Sequence, residues 1–335
     1  MLTQCSSCSA PFSCGASNFS EACWCTAKAK VAIDQNQASC VCEPCLEKRI
    51  QNLGEYSSFR FMLAYRGTHF AGFQAQAEQR TVEGEFKRAL KSIIHQDFVI
   101  QAAGRTDSGV HAHGQVISAQ FFTRMSLRQL SLALATKLPH DMAVWRIDKM
   151  PGAFDARRQS IGKQYIYRIA QSLVVDPFVR EQVWHIRGHL DVESMRDAAK
   201  YLVGEHDFHS FRSSLCGAAH AVRYLWHLSV MERGDLLEID VRGNAFCLNM
   251  VRIIVGTLVD VGRGKIQAPA IEQILLAKDR NRAGRTAPAQ GLSFNKVYYP
   301  DNLTEAQIPL GAIFPRYPVT KESWPFDNTA VLYGP

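Results

Sequence analysis

Two groups of closely spaced side chains in this sequence can do chemistry. The first is a run of thiols: Cys5-x-x-Cys8, then Cys14, then Cys23-Trp24-Cys25, then Cys40-Val41-Cys42-Glu43-Pro44-Cys45. Thiolates two or three positions apart on a tight turn can point at one ion, and four of them complete the tetrahedral shell that zinc prefers. Eight ligands make two closed sites, so about two zinc ions per chain are expected. Spacing leaves open which cysteine shares an ion with which. A closed shell is structural: it has no open position for a substrate, and in so small a segment metal binding supplies most of the folding free energy. The second group is the loop Ala103-Gly104-Arg105-Thr106-Asp107-Ser108-Gly109-Val110-His111-Ala112-His113-Gly114. Its glycines allow a tight turn and close approach to a ligand while Asp107 projects from the tip. By composition alone such an Asp is more often a turn-former than a nucleophile.

The elements that must position these groups follow from periodicity. Phe59, Phe61, Leu63 and Tyr65 alternate as one face of a strand. Thr81 can cap a helix whose apolar residues Val82, Phe86, Ala89, Leu90, Ile93 and Ile94 recur at helical spacing. Strands are expected near 97–103 and 115–122, on either side of the loop at 104–114. Ser126 with Gln129 is a capping-box signature for a helix that Pro139 stops. Further on, strands are expected at 163–169, 224–232 and 236–243, the last two turned by Gly234-Asp235, and helices at 192–203, 246–261 and 270–278. Residues 46–57 read as a linker or short helix. The halves 58–150 and 154–300 mix sheet and helix without a regular βαβ rhythm, which favours an α+β architecture with antiparallel sheets.

Composition bounds the function. Of the ten cysteines in 335 residues, only Cys216 and Cys247 lie beyond Cys45, and the charge divides in the same region. Residues 1–56 carry four basic and five acidic side chains, whereas the whole chain has net charge +7, so the remainder carries about +8. A basic body is expected of a protein that meets a polyanion. No run of eighteen apolar residues exists, because Arg252 interrupts the best candidate, so no membrane span is expected. The start has no secretory signal, which places the chain in the reducing cytoplasm and favours metal-bound thiols over disulfides. A dinucleotide fingerprint and a P-loop are both missing, so no nucleotide cofactor is expected.

The string Gly104-Arg105-Thr106-Asp107-Ser108-Gly109-Val110-His111-Ala112 resembles the active-site motif of the TruA family of tRNA pseudouridine synthases. The resemblance extends in order through Ala64-Tyr65-Arg66-Gly67, Gly72-Phe73-Gln74-Ala75-Gln76, Thr81-Val82-Glu83, Leu138-Pro139, Phe154-Asp155-Ala156-Arg157, Tyr165-Ile166-Tyr167, His206 to Arg212, Asn244-Ala245-Phe246, Met250-Val251-Arg252 with Val255-Gly256, and Gly291-Leu292. It covers about residues 59 to 300. The thiol run resembles the small CWC-type cysteine-rich domain. Together these imply a cysteine-rich domain at 1–46 with a linker at 47–57. They also imply two ferredoxin-like subdomains at 58–150 and 151–300, with antiparallel sheets flanking a basic cleft, and an extension at 301–335.

What the resemblance implies for chemistry is specific. Asp107 is the carboxylate that attacks, or removes a proton from, the ribose of a target uridine. Tyr165 stacks on the flipped uracil and helps remove its C5 proton, and Arg252 pairs with Asp107, keeping it ionised and aimed. Catalysis needs no cofactor. The substrate implied is the anticodon stem-loop of tRNA, at positions 38 to 40, held by a homodimer. The target base must be extruded, and the phosphates are expected to meet Arg105, Arg157, Arg158, Lys163, Arg168 and Arg212, with Thr106 also at the substrate. His111 and His113 are expected as loop or RNA contacts. The run Lys278, Arg280, Arg282 and Arg285 is either a second basic contact or a solvated face. Phe73, Arg158 and Leu248-Asn249 depart from the family pattern, which bears on RNA fit. Three alternatives stand beside this reading: a catalytically silent RNA-binding protein on the same scaffold, a pseudouridine synthase with another RNA target, and a metal enzyme using the head as its site.

Overall fold

The computed structural model describes residues 2–13 and 41–300. Cys14, Cys23, Cys25 and Cys40, and the extension at 301–335, lie outside the described residues. At the start, β1 (Leu2–Gln4) and β2 (Pro11–Ser13) form a small antiparallel hairpin. Of the linker or short helix expected at 46–57, the structure has the helix, α1 (Glu43–Leu53), with Pro44 in its first turn, where a missing N–H costs nothing. Gly54, at φ 94, turns the chain directly into the next strand.

The first half contains β3 (Glu55–Tyr65), α2 (Val82–Ile94), β4 (Ile100–Ala102), β5 (His111–Thr123), α3 (Leu127–Lys137) and β6 (Met142–Met150). Phe59, Phe61, Leu63 and Tyr65 are buried, as their alternation requires. Thr81 Oγ1 accepts from Gly84 N at 3.2 Å and starts α2, whose buried face includes Val82, Phe86, Ala89 and Leu90. The capping box of Ser126 and Gln129 is present at α3. In this half β6, β3 and β5 are antiparallel neighbours, and β4 pairs with β5.

The second half contains β7 (Gly162–Ala170), β8 (Trp184–His185), α4 (Val192–Lys200), β9 (Gly204–Asp207), β10 (Val222–Arg233), β11 (Leu236–Gly243), α5 (Met250–Gly262), α6 (Ala270–Ala277) and β12 (Leu292–Tyr298). Gly234, at φ 60, turns β10 into β11. The architecture is α+β, but one sheet rather than two spans both halves, in the order β6-β3-β5-β12-β7-β11-β10-β9. The joint is β12, which runs parallel to β5 at Ser293↔His111 and Phe294↔Ala112 and antiparallel to β7 along most of its length.

Two boundaries next to the loop and to Arg252 differ from the sequence expectation, each for its own reason. β5 begins at His111 rather than near 115, because Ser293, Phe294 and Tyr65 supply ladder partners that local alternation does not reveal. Helix α5 begins at Met250 rather than 246, because Asn249 sits at φ 61, in the left-handed region, and breaks the helical path. The joint between halves is tight at Gly114, where an added Cβ would overlap the carbonyl oxygen of Asn295. Gly114→Ala is therefore expected to cost about 1–3 kcal/mol of stability through overpacking, a fall of several degrees in thermal midpoint. An unchanged midpoint in thermal unfolding would mean that β5 and β12 separate easily.

Candidate active site

The loop at 103–110 is held at both ends and along its length. Gln115, buried at the start of β5, donates to Gly104 O at 2.7 Å. Thr106 Oγ1 and the Tyr65 hydroxyl are 2.8 Å apart, and Phe73 N donates to Thr106 O at 3.0 Å. Ser108 Oγ donates to Phe70 O at 3.3 Å, and Val110 N donates to Asp107 O at 3.2 Å. Gly67 has to be glycine, since a Cβ there would overlap the Val110 carbonyl. What remains free is the Asp107 carboxylate at the tip, with its side chain 27% exposed.

Arg252 meets it from the other half of the molecule. Its Nη1 donates to Asp107 Oδ2 at 3.1 Å and to Asn249 Oδ1 at 3.0 Å, and its Nε donates to Ala287 O at 2.8 Å. The contact to Asp107 is through one nitrogen and one oxygen, so the other carboxylate oxygen is not engaged by the arginine. Three acceptors fix the guanidinium plane, and the side chain is 17% exposed.

Tyr165 forms the wall beside this pair. It lies on β7, stacked on Phe294 with centroids 4.8 Å apart and edge-on to Phe246 at 5.1 Å. Only 8% of it is exposed, and its hydroxyl lies close to Gly104. Burial, with smaller contributions from Tyr65 and the Asp107 charge, pushes the phenol well above its usual range, so it is neutral at all physiological pH. Tyr167, two residues along on the same face, is a core residue whose hydroxyl donates to Pro288 O at 2.8 Å.

The predicted substrate contacts divide. Arg105 is exposed beside Asp107, and Arg157 and Arg158 are exposed on the turn before β7, with Arg158 3.8 Å from Asp155. Lys163 shares the Tyr165 face by alternation. Its ammonium has no hydrogen-bond or ion-pair partner among the described residues, and burial, with Arg157 and Arg223 nearby, pushes it down to about 8. Arg212 donates to Ala218 O at 3.2 Å and is half-buried. Two predicted contacts are engaged elsewhere. The Thr106 hydroxyl is buried against Tyr65, and Arg168 alternates to the opposite face of β7, where its Nε donates to Glu238 at 2.8 Å.

His111 is wired as a structural group. Gly67 N donates to its Nδ1 at 3.1 Å, which leaves Nε2 to donate to Glu181 O at 2.8 Å, and burial holds its pKa below the ordinary histidine value. Burial also lowers His113. In the run from 278, Lys278 pairs with Asp207 at 2.9 Å, Arg280 bonds Ala283 O and Thr286, and Arg285 lies over the Trp184 ring at 4.7 Å. Lys278, Arg282 and Arg285 are nonetheless exposed, so the run is a partly engaged surface.

Sequence reasoning missed four residues of this site. Asn249 and Ala287 orient Arg252, Phe294 stacks on Tyr165, and Arg223 is a buried cation, 9% exposed, whose Nε has no hydrogen-bond partner. Arg223 carried a signal, a charge at the start of the apolar strand Val222–Arg233, and Asn249 stood out only as a departure bearing on RNA fit; Ala287 and Phe294 are ordinary until the fold brings them together.

A family model described as tRNA pseudouridine synthase matches residues 62–157 and 198–300, which include Asp107 and Arg252. The chain belongs to that family. It is 43% identical over 240 residues to tRNA pseudouridine synthase A of Brevibacillus brevis, covering 72% of this chain and 98% of that protein. The protein of the same name from Geotalea daltonii is 39% identical over 242 residues, covering 72% and 99%, and that from Halalkalibacterium halodurans is 42% identical over 232 residues, covering 69% and 88%. Membership of the pseudouridine synthase family makes this chain an enzyme, of the isomerase class. The family model's match begins at residue 62, beyond the thiol-rich start of the chain.

Replacing Asn249 by Gly keeps the left-handed backbone and removes one of three acceptors from Arg252. Net values of about 1.5–3 kcal/mol for hydrogen bonds to charged groups predict a fall in kcat of about tenfold or more, with KM and thermal midpoint little changed. Steady-state kinetics showing full turnover in Asn249→Gly would mean that Asp107 and Ala287 suffice to hold the arginine.

Proposed function

We propose that the enzyme isomerises uridine to pseudouridine in the anticodon stem-loop of tRNAs, at positions 38 to 40, with Asp107, Tyr165 and Arg252 as the catalytic residues. The observation that carries this reading is the convergence of the Asp107 carboxylate, the guanidinium of Arg252 paired with one of its oxygens, and the half-sandwiched Tyr165 ring from distant parts of the chain. A silent RNA-binding protein has no use for an oriented ion pair beside a neutral phenol. The reaction breaks the N1–C1′ bond, turns the base, forms a C5–C1′ bond, and moves a proton from C5 while N1 gains one. Atoms and electrons balance without an acceptor, so no cofactor enters.

The roles follow from geometry. Asp107 offers one carboxylate oxygen to the ribose while Arg252 holds the other. The extruded uracil lies against the Tyr165 ring, as flipped bases do against aromatic walls. Because Tyr165 is a neutral phenol, it cannot be the final acceptor of the C5 proton; it relays that proton, taking one from C5 while its own passes, directly or through water, to the N1 nitrogen that gains one. Tyr165→Phe keeps the stacking surface and removes the relay, so tritium release from C5-labelled uridine in tRNA transcripts is expected to slow by about a hundredfold, within the range for general acid–base groups, with binding retained. Asp107→Ala is expected to abolish release. Release surviving in Asp107→Ala would overturn the mechanism, and release from transcripts lacking uridine at positions 38 to 40 would overturn the target.

Lys163, Arg157 and Arg223 make a cationic cluster that lacks an anion, and we read it as the seat of a backbone phosphate next to the flipped nucleotide. With Lys163 near 8 in the free enzyme, its charge is present at pH 7 and lost by pH 9, so tRNA affinity falls across that interval; Lys163→Arg is expected to remove the fall. Lys163→Gln is expected to reduce the slope of log affinity against log salt by about 1. Equal slopes in filter binding, or a pH-independent affinity in the wild-type enzyme, would remove Lys163 from the interface.

Three further parts belong to this proposal. The enzyme works as a homodimer, for which the exposed apolar residues Leu173, Val174 and Phe178 after β7 offer a face. It works in the cytoplasm, where tRNA is matured and thiols stay reduced; no helix among the described residues is long and apolar enough to cross a membrane. The cysteine-rich head at 1–46 is a structural module holding about two zinc ions, each on four thiolates.

A further inference from the structure

Four thiols from the two ends of the head converge on one point. Cys5 and Cys8 lie on the turn between β1 and β2, Cys42 immediately precedes α1 and Cys45 lies in its first turn. All four Sγ atoms are within 4.8 Å of one another, and those of Cys8 and Cys42 are 3.6 Å apart. A tetrahedral zinc with bonds of about 2.3 Å places its sulfurs about 3.8 Å from each other. Cys5 Sγ also accepts N–H bonds from Ser7 at 3.4 Å and Cys42 at 3.3 Å, contacts that favour a thiolate over a thiol. The set contains only sulfur, so it selects a soft, tetrahedral divalent ion.

We infer that Cys5, Cys8, Cys42 and Cys45 form one closed metal site that joins the first cysteine pair of the head to the last, and that staples the head to the first strand of the catalytic sheet. The inference rests on the zinc reading of the head and adds its pairing and its purpose. Grouping by sequence order, with the first four cysteines on one ion and the last four on another, is not what the geometry supports. The outer site closes a loop of 34 residues between Cys8 and Cys42, removing entropy from the unfolded chain. A zinc with four thiolates carries net charge −2, and it lies at the N-terminus of α1, where the helix dipole favours negative charge.

Helix α1 passes this anchor to the enzyme. At its other end, Arg124 donates to Gln51 O at 2.9 Å, and Gly54 fits against Thr123 where a Cβ would collide with the backbone. Thr123 is the far end of β5 from His111 and the catalytic loop. Thirteen strand residues span about 40 Å, and α1 can take back at most about 17 Å of that, so the metal lies at least about 20 Å from Asp107. With no open coordination position and that separation, the site acts on the placement of the head and not on the isomerisation.

The test uses the full-length chain, loaded with cobalt(II) alone as the probe. A variant with Cys14, Cys23, Cys25 and Cys40 all changed to Ser is expected to bind one equivalent, with the intense visible bands of tetrahedral thiolate cobalt. The Cys8→Ser/Cys45→Ser chain is expected to lose one equivalent relative to wild type, with tritium release from tRNA retained as proof that the body is folded. In the wild-type zinc protein, mass spectrometry after alkylation is expected to find Cys5, Cys8, Cys42 and Cys45 protected together and exposed together by a chelator. Full metal retention in Cys8→Ser/Cys45→Ser, or alkylation of these four while zinc stays bound, overturns the pairing and leaves the zinc reading standing. A wild-type chain that binds no metal overturns both.

Discussion

The ion pair between Asp107 and Arg252 joins residues 145 apart in sequence, and the chain is arranged around the need to make it. The aspartate belongs to a loop hung on the first half; the arginine belongs to a helix of the second. Neither local turn geometry nor helix capping can bring them together. What does so is the segment from Gly284 to Phe294. Gly284 N donates to Thr257 Oγ1 and the carbonyl of Arg285 lies against Gly256, so the segment is pressed onto α5 where no side chain fits between. It then gives Ala287 O to Arg252, Pro288 O to Tyr167 and the Phe294 ring to Tyr165 before β12 enters between β5 and β7. One stretch of chain thus fixes Arg252 and Tyr165 directly and Asp107 through Arg252, which brings the three proposed catalytic groups into a common frame.

This explains what was and was not legible in the sequence. The alternation at Phe59 to Tyr65, the Thr81 cap and the Ser126–Gln129 box are local, and local physics settles them. The loop with Asp107 was visible as a pattern of glycine and polar residues, but its composition alone favoured a plain turn; the ordered motifs around it gave it meaning. The orienting groups were not legible. A backbone carbonyl such as Ala287 O leaves no trace in residue identity, and Phe294 reads as one more apolar strand residue. Arg168 shows the opposite error. Lying beside Tyr165 and Tyr167 in a motif suggested the cleft, whereas a strand's twofold period sends it to the other face, onto Glu238.

The basic excess of the body is likewise partly consumed within the fold. Arg60 and Arg146 both bond Asp148, Arg80 bonds Asp141, and Lys278 bonds Asp207. Such pairs lower the pKa of their carboxylates, as Arg80 does for Asp141, and they neutralise charge that composition counts as available. The cations that matter to a polyanion are those left without a partner near the loop. Arg105 and Arg157 are exposed there, while Lys163 and Arg223 are held in place at the cost of desolvation. A cation desolvated without a counter-ion is unfavourable in the free protein, and a phosphate arriving there relieves that penalty.

The same logic of counter-ions separates the two reacting side chains. The proposed mechanism asks Asp107 to be charged and Tyr165 to be neutral, although the carboxylate is near enough to act on the phenol. Arg252 faces the carboxylate and not the phenol, so only Asp107 has a guanidinium to balance it. Tyr165 is flanked by Phe246, Phe294 and the bare backbone of Gly104, none of which stabilises a phenolate. The charge on Asp107 itself then raises the cost of ionising Tyr165 further. In the proposed mechanism the carboxylate and its arginine have a second effect: by placing a negative charge beside the phenol, they keep its proton in place until the C5–C1′ bond has formed and made the C5 proton acidic enough to exchange.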